Sequence, residues 1–229
     1  MFATIEDIRK HLIANKFQPD MSDQVAEGVL KSTDGRSVVY SFHSGWDIVK
    51  AHLCDRRWGA FNMELLSFVH ENYKNDIERR TIMDGLQLED NHWDWLKKSA
   101  ILKTDEYKWF FIFAEGLPQA ACVIFHPKKS AIEDGNIFYI EYVAVAPWNR
   151  PNPLKAPLLK GTGTKIIQHA CDYAKNGLGL RPGFCLHALP KAIGFYEKIG
   201  MLAHPQLDKD QLPYYEMPMQ SASIFLEQR

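Results

Sequence analysis

"NIFYIEYVAVAP", residues 136–147, constrains the fold more than any other stretch of the chain. Its residues are β-leaning and apolar on both faces, so a strand here must be covered from both sides. Cover on two faces demands layers, with helices packed above and below a sheet. One charge, Glu141, interrupts the run and needs its own explanation, because a lone carboxylate among apolar neighbours is costly to hold.

The flanking segments build the rest of the sheet. "YKWFFIFA" (Tyr107 to Ala114) and "QAACVIFHP" (Gln119 to Pro127) flank "EGLP" and read as antiparallel neighbours. After the loop "WNRPNPLKAP" comes "LLKGTGTKIIQHA", where two glycines precede a helical pattern. Ile166, Ile167, Ala170, Cys171 and Ala174 then share one helical face, and Gly177 is a natural stop. "GFCLHAL" is a further strand. Pro190 opens a short helix through "KAIGFYEKIG", closed by Gly200, and "LPYYEMP" is the last strand. Strand, strand, strand, helix, strand, helix, strand is the order of an α/β or α+β sheet domain.

The first half is less regular. "TIEDIRKHLIANK" places Ile5, Ile8, Leu12 and Ile13 on one helical face behind a Thr4 cap. "VLKSTDGRSVVYSF" carries an Asp34-Gly35 turn between two β-leaning runs, a hairpin signal. From Ser44 to about Asn75 the pattern is helical, with Trp46, Ile48, Val49, Leu65, Leu66 and Val69 as apolar positions. "HWDWLKKSAILK" is a second helical stretch, and "NDIERRTIMDGLQLEDN" between them reads as a polar surface connection.

Composition excludes several classes. With 229 residues, 46% of them hydrophobic and 24% charged, the chain can bury a core without disulfides or metal. A net charge of -1 argues against general nucleic-acid binding, which leans on clustered Lys and Arg. Cys54, Cys122, Cys171 and Cys185 are scattered, and the nine histidines form no H-E-x-x-H spacing. Neither a disulfide framework nor a metal site is expected, and a reducing compartment fits. The start, "MFATIEDIRKHL", is charged within its first seven residues, unlike a secretion signal, and no apolar run is long enough to span a bilayer. The expectation is a cytoplasmic protein without membrane partners.

The chemistry-bearing stretch is Lys160 to Lys165. A glycine-bearing loop that enters a helix offers unpaired backbone N–H groups to an anion, and the helix dipole adds to them. Gly161 and Gly163 let a ligand approach the backbone, Thr162 and Thr164 add hydroxyl donors, and Lys160 and Lys165 add positive potential. The nucleotide motifs do not match: no Gly-Lys-Ser/Thr triplet completes a Walker loop, and no third glycine completes a dinucleotide fingerprint. Read alone, "KGTGT" leaves an anion cradle and a ligand-free helix start equally open.

In order along the chain, however, stand Val145-Ala146-Pro147 at the end of the central strand, Gly161-Thr162-Gly163 at the helix start, and "AIGFYEKIGM" on the later helix. This run, roughly Tyr107 to Pro218, resembles the GCN5-related N-acetyltransferase (GNAT) superfamily, where V-x-P, R/Q-x-x-G-x-G/A and A-x-x-F-Y-E-K-x-G-F recur in that order. Three features depart from the pattern. Leu158 stands at the Arg/Gln position, Leu189 or a neighbour replaces an asparagine before the last helix, and the connection after Pro147 is longer.

The resemblance implies a mixed, splayed central sheet flanked by helices, spanning residues 44–229, with residues 1–43 as an N-terminal extension (a helix plus a hairpin). It also implies acetyl-CoA as acyl donor, no metal, and direct transfer of the acetyl group to a primary amine. The diphosphate would rest on the amides of Lys160, Gly161, Thr162, Gly163, Thr164 and Lys165. The pantetheine would pair with backbone at Val143, Ala144 and Val145, one amide of which would meet the developing oxyanion. Glu141, on the same strand face as Tyr139, Val143 and Val145, is the candidate base, directly or through water. Its apolar company is expected to raise its pKa. Tyr196 is the candidate acid toward the departing thiolate.

Other pieces carry less. Cys185 and His187 alternate onto one strand face but lack a third orienting group, and a buried cysteine is usually inert packing. Trp93, Trp95 and Trp109 read as core before they read as acceptor-pocket walls. Asp76, Glu78 and Glu89 read as a solvated loop before a lure for cations. The acceptor is a small-molecule or peptide amine of open identity, and a homodimer is open as well. Two other functions remain alternatives: a non-catalytic acyl-CoA-binding or sensor module, and an interaction protein that uses its N-terminal region.

Overall fold

The computed structural model describes residues 4–228; residues 1 to 3 and 229, included in the two segments above, lie outside them. Thr4 caps α1 (Ile5–Asn15) through a reciprocal capping box with Asp7. The hairpin of β1 (Gln24–Ser32) and β2 (Ser37–Ser44) turns at Asp34-Gly35, where Gly35 takes φ +89°. Three helices follow: α2 (Ile48–Asn72), α3 (Asp76–Gly85) and α4 (Trp95–Ile101). Next come β3 (Tyr107–Ala114), β4 (Leu117–Lys129), β5 (Asn136–Val145), β6 (Leu159–Lys160) and α5 (Thr162–Gly177). The chain ends with β7 (Phe184–His187), α6 (Ile193–Lys198), β8 (Leu202–Ala203), β9 (Tyr214–Glu216) and α7 (Met219–Glu227). The strands form one sheet in the order β6-β1-β2-β3-β4-β5-β7-β9-β8. It is mixed, since β5 and β7 run parallel while β7 and β9 run antiparallel.

Contacts divide the chain into two compact units. The first comprises Met1–Lys103, Trp109–Ala121 and Ala144–Gly163. Here β2 pairs with β1 on one side and β3 on the other, and Phe42 stacks on Phe110 at 5.5 Å. Trp95 meets Trp58, Trp93 and Trp109 edge-on at 5.7, 6.0 and 6.2 Å and is only 2% exposed. Trp95→Ala is therefore expected to destabilise the chain by about 3–5 kcal/mol, read as a lower denaturant midpoint.

A buried polar network braces the same unit. Lys50 is fully buried, with Nζ 2.9 Å from both Asp23 and Asp47. Asp23 also holds His43 Nδ1 at 2.7 Å, and His43 Nε2 lies 2.8 Å from Ser41 Oγ. In this Asp-His-Ser row Ser41 sits mid-strand between ladder partners Glu27 and Phe113, so the row reads as part of the buried brace.

The second unit comprises Thr104–Lys108, Cys122–Val143 and Thr164–Arg229. Phe138 on β5 pairs with Phe184 on β7, their rings stacked at 5.5 Å. The apolar face of α5 is buried at every position its periodicity marks, Ile166, Ile167, Ala170, Cys171 and Ala174. Gln168 Nε2 donates to the Phe225 carbonyl at 2.8 Å and ties α7 to α5. Fully buried Glu216 accepts from Ser130, the Ala131 amide and Tyr214, so its carboxylate is consumed internally.

Some expectations are corrected. Residues 76–85 form α3 rather than a loop: Asn75 caps it, and Asp76 and Glu78 favour its N-terminal end. None of its residues is fully buried, and Ile82 and Met83 are half-buried. Ile13 does not share the buried face of α1; it is exposed, and Leu12 alone is fully buried there. Trp46 lies before α2, because Asp47 caps that helix at the amides of Val49 and Lys50.

Candidate active site

The glycine loop begins from an anchored strand. β6 pairs with β1 through Lys31–Lys160 and Ser32–Leu159, and the Leu159 amide donates to Asn149 Oδ1 at 3.0 Å. Lys160 thus lies in a strand, and the turn into α5 falls on Gly161, whose φ of +78° favours glycine. A side chain at Gly161 would meet no atom within 4 Å, and one at Gly163 would just touch Val145 Cγ1 at 3.4 Å. Both positions are open as a backbone cradle requires. At the first residue of α5, Thr162 is buried, and its hydroxyl has no hydrogen-bond partner among the described residues. The first amides of a helix have no partner within the helix, so with this hydroxyl they offer a set of donors that an anion could take up. Lys165, one turn on, reaches Gln168 at 3.3 Å.

The end of β5 is held by residues the sequence did not single out. Gln119, buried, accepts at Oε1 from Trp148 and Asn149, each at 2.9 Å, and its carbonyl accepts from the Ala146 amide at 2.8 Å. Arg150 grips Asp90 with both terminal nitrogens and donates to the Val145 carbonyl from Nη2 at 2.7 Å. Of the backbone expected to face pantetheine, that carbonyl is therefore already engaged. Val143 and Val145 are half-buried and Ala144 is buried.

Glu141, half-buried, lines a cavity of about 420 Å³ in the second unit, and Tyr139 lines it too, as strand alternation requires. Tyr107, Phe125 and Tyr214 add aromatic wall. Burial first, and then the Glu141 carboxylate, raise the phenols of Tyr107, Tyr139 and Tyr142 above the ordinary tyrosine value. His187 closes one side: its Nε2 is 2.9 Å from the Leu207 carbonyl and its Nδ1 is 2.8 Å from the Tyr139 hydroxyl. A carbonyl only accepts, so Nε2 carries the proton and Tyr139 donates to Nδ1. Burial lowers the His187 pKa, which favours that neutral form.

Tyr196 on α6 is 5% exposed while its neighbour Phe195 is half-buried, so only one of the adjacent pair is fully enclosed. Burial, then Cys122, raises its phenol and keeps it protonated. Cys185 is fully buried and its thiol is pushed up to about 12, again by burial, which leaves it inert as a nucleophile. Trp93 and Trp95 line a cavity of about 220 Å³ with Trp58, but its three acids are engaged: Asp94 by Arg9 at 2.8 Å, Asp90 by Arg150, and Asp55 by the amides of Trp95 and Leu96 at 2.8 and 2.9 Å. Trp109 is core. No helix among the described residues is long and apolar enough to cross a membrane.

No protein-family model and no curated protein matches the sequence. Solved structures do match in fold. The GNAT domain of S. lividans PAT aligns over 83% of this chain and 96% of its own, with a TM-score of 0.50 at 11% identity. Mycobacterium smegmatis RimJ in complex with CoA-disulfide aligns over 92% and 96%, TM-score 0.50, 14% identity. An uncharacterized protein from Bacillus halodurans aligns over 90% and 96%, TM-score 0.51, 10% identity. At these identities the likeness is one of fold alone.

Proposed function

We propose that this GNAT-fold chain is an acetyl-CoA-dependent N-acyltransferase that moves an acetyl group directly to a primary amine. The observation that carries the proposal is the start of α5: a left-handed Gly161, an open Gly163 and a buried, unpartnered Thr162 hydroxyl at the helix mouth. These groups fit a diphosphate by charge, dipole and donor count. RimJ, of like fold, is solved with a coenzyme A disulfide, which supports the donor assignment.

In this reading the residues divide the work. Lys160 to Lys165 hold the diphosphate, and backbone at Val143 to Val145 aligns the pantetheine and presents an amide to the carbonyl oxygen. The donor supplies an activated thioester carbonyl. Glu141 removes a proton from the acceptor ammonium, directly or through water, and the freed lone pair attacks that carbonyl. The C–N bond forms, the C–S bond breaks, Tyr196 gives its proton to the departing sulfur, and the proton the nitrogen sheds on becoming an amide returns to the phenolate through solvent. Its raised pKa keeps the hydroxyl in the donor form through the neutral range.

The test is release of the coenzyme A thiol with acetyl-CoA and a panel of amines. Tyr196→Phe is expected to slow turnover about 10- to 100-fold while coenzyme A affinity stays within about twofold. Full turnover by that variant removes Tyr196 as the acid. Coenzyme A binding with no thiol release from any amine would favour a binding module over an enzyme.

A further inference from the structure

We propose that the acceptor held beside Glu141 is an amino-acid-like zwitterion: an amine with an acidic group a few bonds away, on an apolar or aromatic body. This deepens the acyl-transfer reading and rests on it for the role of the cavity. The charges facing the cavity carry the argument. Glu141 is the one carboxylate in its lining, while Lys128, Lys129 and Lys209 supply three cations. None of these lysines makes an ion pair among the described residues; Lys209 instead stands over the Tyr139 ring at 5.8 Å. Two nearby acids are already engaged. Glu216 accepts from Tyr214, Ser130 and the Ala131 amide, and Asp208 accepts from the Tyr214 amide at 2.8 Å.

A polycationic acceptor would bring like charge against that excess of lysine. A zwitterion instead sets its ammonium on Glu141 and its anion among the lysines. The walls specify the body. The hydroxyls of Tyr139 and Tyr214 are committed to His187 and Glu216, so these residues offer ring faces rather than hydrogen bonds. Tyr107 and Phe125, their centroids 5.5 Å apart, add a further aromatic pair. A volume of about 420 Å³ is that of an ordinary small-ligand pocket.

Binding to the full-length protein without acyl donor tests this independently of catalysis. Calorimetry would compare L-phenylalanine, L-tyrosine and L-leucine with their decarboxylated counterparts phenethylamine, tyramine and isoamylamine, and with spermidine. At least one amino acid is expected to bind about tenfold more tightly than its decarboxylated counterpart, and spermidine more weakly than either. In K128Q/K129Q/K209Q the amino acid-to-amine ratio is expected to fall toward one, with the thermal midpoint checked to confirm folding. Equal or tighter binding of the decarboxylated amines or spermidine, no binding of any amino acid, or an unchanged ratio in the triple variant overturns the proposal. Failure here leaves coenzyme A binding and thiol release with neutral amines untouched. Failure of those two assays instead strikes the acyl-transfer reading while the binding comparison is still scored.

Discussion

Gly163→Glu is expected to weaken coenzyme A binding at least about 100-fold, some 2.7 kcal/mol at 1.36 kcal/mol per decade, and to leave the fold intact. The two halves of that expectation have separate causes. A Cβ at this position just reaches Val145 Cγ1 at 3.4 Å, an ordinary contact, and an acid in the first turn of α5 suits the helix dipole. The same acid occupies the place proposed for the diphosphate and repels it. Gly163→Ala, which adds the contact without the charge, is expected to cost far less. Calorimetry with coenzyme A and a thermal melt separate the two halves; undiminished affinity in the glutamate variant would overturn the phosphate assignment.

Glu141→Gln is expected to lower kcat/KM by about 10²- to 10⁴-fold with acetyl-CoA affinity unchanged, the signature of a lost general base. The substitution keeps shape and removes charge, so the cavity retains its size. A second readout does not depend on turnover. The carboxylate helps to raise Tyr107, Tyr139 and Tyr142, so tyrosinate absorbance should begin to rise at lower pH in the variant. Ordinary turnover alongside that spectroscopic shift would show that Glu141 shapes the electrostatics of the cavity without serving as base.

The parts of the fold legible in the sequence are those whose signal is local. β3 runs from Tyr107 to Ala114 as its composition implies, and α5 stops at Gly177 with its periodic face buried. β6 left no such trace, because two residues become a strand only by pairing with β1, far earlier in the chain. α3 was hidden under its charge: Asp76, Glu78, Arg79, Arg80 and Asp84 outnumber Ile77, Ile82 and Met83, so a short capped helix read as a polar connection. α7, nine residues long, lies beyond the last strand that patterning marked.

The site divides in the same way. Glu141 stood out as the single charge in an apolar strand, and Gly161 and Gly163 as glycines at a helix start. Nothing in the sequence linked their neighbours to them. Lys128, His187, Leu207 and Tyr214 come from β4, β7, the turn after β8 and β9, and sheet order alone brings them to one cavity. Arg150 follows Pro147 closely in sequence, yet its partner Asp90 lies in the stretch before α4 and no spacing rule links them.

The account depends on a diphosphate held by the amides that open α5. Calorimetric titration of the purified chain with acetyl-CoA, and in parallel with acetyl-pantetheine, which keeps the thioester but lacks the diphosphate and the phosphorylated adenosine beyond it, tests that claim. Saturable acetyl-CoA binding, with acetyl-pantetheine at least about 100-fold weaker, is the predicted result. No acetyl-CoA binding at millimolar concentration, or equal affinity for the two thioesters, would contradict it.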